Sequence, residues 1–126
     1  MIEILYVSDS MKQSVDFINN LISDLQRLGI EDIEHNKEHN FIIVGNKEVR
    51  GISLYENCLC IKIHNPKYFI DGIDMRNYKG TSDKQIDRLI YRIREMMSHF
   101  RRGTKQLSGK DELIKILTEN NAEVAK

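Results

Sequence analysis

The chain has 126 residues, 40% of them hydrophobic and 30% charged, with one proline and two cysteines. A chain of this length can bury a core of its own, and its composition excludes fibrous, disordered and disulfide-rich classes. No apolar run has the length of a membrane span, and we expect the N-terminus to be a strand and not a signal peptide. We therefore expect one domain over residues 1–126.

The formal net charge is zero, because 19 Lys and Arg residues offset 19 Asp and Glu residues. This sum hides an uneven distribution along the chain. Residues 1–83 carry 9 basic and 13 acidic groups (−4), residues 84–110 carry 8 and 2 (+6), and the last sixteen carry 2 and 4 (−2). Because charge asymmetry of this kind concerns partners and not fold, the basic segment is the first candidate for a binding surface.

The N-terminal quarter predicts a strand followed by a helix. Residues 2–7 predict a buried strand, and Ser10 with Gln13 makes a capping box at which a helix begins. We expect Gly29 to end this helix in a left-handed conformation, with Ile30 as its hydrophobic follower. The predicted apolar stripe of the helix consists of Met11, Val15, Ile18, Leu21, Ile22, Leu25 and Leu28.

Several strands are predicted in the middle of the chain. Residues 31–40 are polar and loop-like, with a short extended piece at Ile33. Phe41–Val44 and residues 48–54 predict a hairpin across Gly45 and Asn46, and residues 58–63 and 67–73 predict two further strands of a meander. Cys58 and Cys60 are predicted on one face of a strand, too parallel for a mutual disulfide, so we expect reduced thiols.

The C-terminal part predicts helices. Ser82 and Gln85 make a second capping box, and a long helix to about residue 100 follows with Ile90 among its apolar positions. Residues 103–110 are predicted to be a linker, Ser108 with Asp111 to cap a short last helix, and residues 122–126 to fray. The order β-α-β-β-β-β-α-α predicts an α+β domain, with a mostly antiparallel sheet covered by two long helices plus a short C-terminal helix.

Residues 35–39, HNKEH, match the order of ligands in inverted zinc peptidases. That chemistry needs both histidines on one face of a rigid helix, whereas His35 and His39 lie in a polar stretch with no apolar stripe. A mixed zinc site that adds Cys58 and Cys60 lacks the spacing of a zinc finger. We therefore predict no metal at these residues.

Two further stretches resemble catalytic motifs. Residues 103–111, GTKQLSGKD, have five residues between their glycines where a phosphate-binding loop has four, and Asp111 stands where that loop needs a hydroxyl. Asp71 and Asp74 could hold a divalent ion as nuclease carboxylates do, but Asp-Gly is typical of turns. We predict no enzyme and no cofactor.

Positive charge collects on the predicted long helix and just after it. Helical spacing places Arg88, Arg92 and Arg102 near one line, away from the apolar stripe. Such a surface could neutralise phosphates or meet an acidic protein, and arginine pairs with either in a bidentate manner. The alternative is a solvated helix whose last arginines complement the helix dipole. The candidate contact surface, the basic ridge, comprises Arg88, Arg92, Arg94, Arg101, Arg102, Lys105 and Lys110.

Two resemblances bear on function. The first quarter, ILYVSDSMKQSVDFINNLISDLQ, resembles a strand-and-helix unit from the ATPase core of helicases and phage packaging motors. The nucleotide-binding motifs of those families are absent, so this resemblance implies ancestry without the activity. The whole chain, short, rich in Ile, Lys and Asn and carrying a basic helix, resembles small phage accessory proteins of the anti-CRISPR type. That resemblance implies binding to a CRISPR effector or to its nucleic acid.

The expected function is that of a non-catalytic phage-type inhibitor or regulator, which binds a nucleoprotein complex such as a CRISPR effector through the basic helix. The alternatives are a general nucleic-acid-binding module and a degenerate metal-dependent nuclease using Asp71 and Asp74. The expected partner is a host protein or nucleoprotein complex, or DNA or RNA itself, in the cytoplasm of a bacterial host cell. We expect no membrane partner, and a monomer or a homodimer.

Overall fold

The computed structural model describes residues 2–53, 65–74, 76, 84, 87, 88, 90, 91, 94, 95, 98 and 103–125, with side chains up to residue 119. The eight described residues between positions 84 and 98 are all helical, and we call them the helical segment. The remaining elements, in chain order, are β1 (Ile2–Ser8), α1 (Met11–Arg27), β2 (Ile33–Asn36), β3 (Phe41–Val44), β4 (Lys47–Ser53), β5 (Tyr68–Gly72), β6 (Lys105–Leu107) and α2 (Lys110–Ala125).

The strands form one six-stranded sheet in the order β2-β3-β4-β1-β5-β6. β1 lies in the middle and pairs in parallel with β4 and β5, and β5 pairs in parallel with β6. Only the β2–β3 and β3–β4 pairs are antiparallel in the described sheet. The α+β prediction is confirmed at this level, but the prediction of a mostly antiparallel sheet is wrong. Local patterns reveal hairpins, whereas the parallel partners of β1 lie more than 40 residues away.

Two strands depart from the predicted boundaries. The hairpin across Gly45 and Asn46 is confirmed, but the extended piece at Ile33 is a full strand, β2, that pairs with β3. β6 lies inside the predicted linker, and the backbone N–H of Lys105 donates to the Lys67 carbonyl at 3.0 Å. The predicted strand at residues 58–63, with Cys58 and Cys60, lies outside the described residues.

The predicted ends of α1 are confirmed. The Ser10 hydroxyl accepts from the Gln13 backbone N–H at 3.2 Å, as a capping box requires. At the other end Gly29 has φ +87°, a left-handed value that favours glycine. The N–H groups of Gly29 and Ile30 donate to the carbonyls of Gln26 and Leu25, the bonding pattern of a Schellman motif.

The buried side of α1 is rotated from the predicted stripe. Met11, Val15 and Leu28 are exposed, and Ser14 is fully buried in their place. The reason lies on β4, where Gly51 lets the helix approach closely. A Cβ at Gly51 would lie 3.0 Å from the Ser14 carbonyl oxygen, so no larger residue fits without a shift.

α1 and α2 cover one side of the sheet, which we call the first face. Each large apolar side chain buried there contributes about 1.5 to 3 kcal/mol. α2 has 16 residues and is longer than the short helix predicted, with a helical backbone to Ala125, so the predicted fraying after residue 121 stays a prediction. The first-face core consists of Ile4, Ile18, Leu21, Leu25, Ile42, Val44, Val49, Ile70, Leu107, Leu113 and Leu117.

The second face of the sheet is also apolar. Leu5, Val7, Ile52 and Phe69 alternate with first-face residues along their strands and are all buried, yet none belongs to the cluster that α1 and α2 cover. A separate element must therefore exclude water from this face. None of the helices described has the length and apolar character needed to cross a membrane.

Candidate functional site

Three aspartates collect where β1 and β5 end, and we call Asp9, Asp71 and Asp74 the acidic edge. Parallel neighbours end at the same edge of a sheet, which brings Asp9, after β1, close to Asp71 and Asp74, at the end of β5 and after it. β1 is also the strand from which the sheet extends both ways, towards β4 and towards β5. Ligands of open α/β sheets bind at such a switch point.

Each carboxylate of the acidic edge has a partner inside the chain. Asp9 Oδ2 accepts from the Asp74 N–H at 3.1 Å, and Asp71 Oδ1 accepts from the Ile73 N–H at 2.9 Å. The Asp74 carboxylate is paired with Arg76, whose Nη2 lies 2.8 Å from Oδ2. Asp71 and Asp74 therefore point to separate partners. Among the described residues, no group of three His, Cys, Asp or Glu side chains could hold a metal ion.

The pKa values follow from these partners. Although Asp71 as a residue is exposed, its carboxyl group is partly shielded from water, and this desolvation raises its pKa, with a further rise from the Asp9 charge. Hydrogen bonds from the Arg76 side chain and backbone lower the pKa of Asp74. Desolvation, then the charges of Asp9 and Asp71, raises the pKa of Tyr6. Asp9, Asp71 and Asp74 outnumber Arg76, the cation that pairs with Asp74, so the acidic edge is net negative when its carboxylates are ionised.

Buried serines beside the acidic edge have structural partners. The hydroxyls of Ser8 and Ser14 lie 2.7 Å apart, and both side chains are fully buried. The carbonyl oxygens of Ser10 and Ile52 lie 2.7 Å from the Ser8 and Ser14 hydroxyls respectively, and the two hydroxyl hydrogens serve two of these three contacts. These contacts hold the start of α1 against β1 and β4.

The two histidines of the HNKEH stretch lie on different structures. His35 lies in the edge strand β2. His39 lies in the turn that follows, where its backbone N–H donates to Asn36 Oδ1 at 2.9 Å. Desolvation lowers the pKa of His35, with a smaller contribution from the Lys37 charge. The helical arrangement of a zinc peptidase is therefore not formed here, and the loop predicted around His35 is a strand.

The structure describes four residues of the basic ridge. Arg88 and Arg94 are exposed on the helical segment, and Lys105 is exposed on the edge strand β6. No ion pair joins these three to another residue in the part of the chain that is described. Arg92, Arg101 and Arg102 lie outside that part.

Lys110 differs from these three, because it is half-buried and bound within the chain. Its Nζ lies 2.6 Å from Asp24 Oδ2, and the resulting hydrogen bond is the main cause that lowers the pKa of Asp24. Arg27 also pairs with Asp24. Lys110 therefore joins α2 to α1. The predicted cap of α2 at Ser108 differs in detail, since the Ser108 hydroxyl donates to Glu112 Oε1 at 2.6 Å.

Sequence reasoning missed Tyr91, which lies in the middle of the basic helical segment. Its side chain is 63% exposed, and Arg88 and Arg94 lie three residues before and after it on the helix. Lys84, Asp87 and Ser98 are exposed on the same segment, while Ile90 and Glu95 are half-buried. We call Arg88, Tyr91 and Arg94 the Tyr91 surface. The three-residue spacing of an aromatic between arginines was visible in the sequence.

Sheet topology indicates which face this helical segment covers. The connection from β1 through α1 runs towards β4, whereas the connection from β5 through residues 84–98 runs the other way, to β6. Right-handed crossovers that run in opposite directions place their helices on opposite faces. Since α1 covers the first face, we infer that the helical segment covers the second face, with Ile90 towards the sheet and the Tyr91 surface towards solvent.

The chain was also compared with known proteins. No family model matches it, no curated protein matches it and no solved structure matches it, so no enzyme family and no enzyme relative is found for this chain.

Proposed function

We propose that this protein is a non-catalytic regulator that binds a nucleoprotein complex, such as a CRISPR effector with its guide RNA, through the basic ridge. The observation that carries the proposal is the exposure of Arg88, Arg94 and Lys105 within a segment of formal charge +6 (8 basic and 2 acidic residues) in a neutral chain. Exposed arginines on a rigid element favour bidentate contact with phosphate.

The rest of the molecule supports this location of the contact. The switch point of the sheet, the usual ligand position in such folds, carries Asp9, Asp71 and Asp74 and repels an anion. The start of α1 would otherwise attract phosphate through its backbone N–H groups, but Asp9 lies beside it. An anionic partner is therefore favoured at the basic ridge over the acidic edge.

The test measures retention of purified CRISPR effectors, each loaded with its guide RNA, on the immobilised protein at rising salt. We expect wild type to retain at least one loaded effector and to release it as salt increases, because phosphate contacts release counterions. Arg88→Glu with Arg94→Glu should abolish that retention. The matched control is Lys12→Glu with Lys115→Glu, which makes the same charge change at exposed residues of α1 and α2.

The control variant should behave as wild type, because its changes lie on the helices of the first face. Equal retention of both double variants at every salt concentration would contradict the proposal. Retention of free DNA and RNA as strongly as of any loaded effector, and its loss in the Arg88 and Arg94 variant, would favour the general nucleic-acid-binding module.

A further inference from the structure

We propose that the Tyr91 surface binds single-stranded nucleic acid, with the Tyr91 ring stacked on one base and Arg88 and Arg94 on the flanking phosphates. This inference rests on the proposed function and names the chemical group that the basic ridge contacts. It adds one residue, Tyr91, to the binding surface, and it distinguishes a single strand from a duplex and from an acidic protein.

The argument starts from the exposure of Tyr91. At 63% it is the most exposed of the large apolar side chains described, ahead of Leu28 at 59% and Met11 and Val15 at 37% each. Exposing an aromatic ring to this degree forgoes the stabilisation that its burial would contribute. The exposed ring is therefore accessible to a ligand that stacks on it.

The neighbours of Tyr91 indicate the chemistry of that ligand. On a helix, Arg88 and Arg94 lie about 4.5 Å along the axis on either side of Tyr91. An aromatic ring between two cations matches a base between two phosphates, the repeating unit of a single strand. Asp87, exposed one turn before Tyr91, and Glu95, half-buried one turn after it, lower the local charge, and with Lys84, Arg88 and Arg94 the described residues of the segment keep an excess of one positive charge (3 basic and 2 acidic).

A duplex and an apolar protein surface fit less well. In a duplex the base faces are covered by their neighbours, so a ring on a helix surface cannot stack on them. A tyrosine that anchors a protein interface is usually surrounded by residues that exclude water. Of the residues described on this segment besides Tyr91, only Ile90 is apolar; Glu95 is half-buried, and the polar exposed residues are Lys84, Asp87, Arg88, Arg94 and Ser98. A single strand uses both the ring and the charges.

The test measures fluorescence anisotropy with a labelled 15-nucleotide oligothymidine and with a labelled duplex of equal length. We expect Tyr91→Ala to weaken binding of the oligothymidine by about 5- to 150-fold, the range for loss of one stacked base. Tyr91→Phe keeps the ring and should bind as wild type. Duplex binding, which depends on charge alone, should be equal in all three proteins. Far-UV circular dichroism checks that the helical content is unchanged.

Each other outcome has a defined meaning. Equal binding of oligothymidine by wild type and Tyr91→Ala, or an equal loss for the duplex, overturns the stacking inference. If Arg88→Glu with Arg94→Glu also loses effector retention, the proposed function stands and only the stacking inference fails. If that double variant retains the effectors as wild type does, the proposed function fails as well. Absence of oligothymidine binding by wild type overturns the stacking inference.

Discussion

The acidic edge and the Tyr91 surface carry opposite charges and differ in how those charges are used. Asp9, Asp71 and Asp74 each have a hydrogen-bond partner within the chain. Arg88 and Arg94 are exposed and have no ion-pair partner among the described residues, and an exposed ring lies between them. The partners at the acidic edge hold the ends of two strands together. We therefore assign a structural role to the acidic edge and propose binding at the Tyr91 surface.

Gly72→Ala tests the packing of β5 against the Tyr6 ring of β1, beside the acidic edge, and has the largest expected effect. A Cβ at Gly72 would lie 2.5 Å from Tyr6 Cζ, and the Tyr6 ring is stacked on Phe17 with centroids 3.8 Å apart. The ring cannot retreat without losing that contact, so we expect a loss of about 1 to 3 kcal/mol in the free energy of unfolding. Urea unfolding measures it.

Gly109→Ala is the matched control, because no atom lies within 4 Å of a Cβ at Gly109. We expect its stability to stay within about 0.5 kcal/mol of wild type. Binding of oligothymidine by folded Gly72→Ala should equal that of wild type. A stability loss in the control as large as that in Gly72→Ala would contradict the steric account.

Asp71→Asn tests the electrostatics of the same edge and has a smaller expected effect. The folded-state pKa of Asp71 is raised, so the folded protein favours the protonated carboxyl. The stabilisation that Asp71 contributes is therefore fully present at pH values below its pKa in the unfolded state. It is lost as the pH rises through the pKa of Asp71 in the folded state. Asn keeps an oxygen for the Ile73 N–H without the charge. We expect the variant to match wild type at pH 3 and to be slightly more stable at pH 7.

Urea unfolding of both proteins at the two pH values gives this difference, and titration of carboxylates distant from Asp71 cancels between them. A variant that is less stable than wild type at pH 7 and equal to it at pH 3 would show that the Asp71 charge stabilises the fold. The edge would then be a stabilising ion cluster and not a site of mutual repulsion.

The elements that the sequence predicted best are those set by neighbouring residues. The start of α1 at Ser10, its end at Gly29 and the hairpin at Gly45 depend on contacts within a few residues. The parallel pairing of β1 could not be predicted in this way, because at least one helix and two strands separate β1 from each of its partners along the chain. The sequence of residues 2–7 did predict a buried strand, and β1 is one.

The remaining differences come from tertiary contacts that no local pattern contains. Val15 is exposed and Ser14 buried because Gly51 admits the helix backbone at that point. β6 has three residues, too few for a periodic signal, and pairing with β5 makes it a strand. The charge pattern of the sequence identified Arg88 and Arg94 as candidate contact residues, but only the structure shows that Tyr91 between them is exposed.

The most direct test of the binding assignment is photo-cross-linking of the protein to an oligothymidine that contains 5-iodouracil, followed by tryptic digestion and mass spectrometry. The chain has five tyrosines, and Tyr91 lies in a short peptide of its own, residues 89–92, between two arginines. We predict that the cross-link is on this peptide and is lost in Tyr91→Ala. A cross-link on the peptide of residues 1–12, which carries Tyr6 and Asp9, that persists in Tyr91→Ala would place the nucleic acid at the acidic edge and contradict the account.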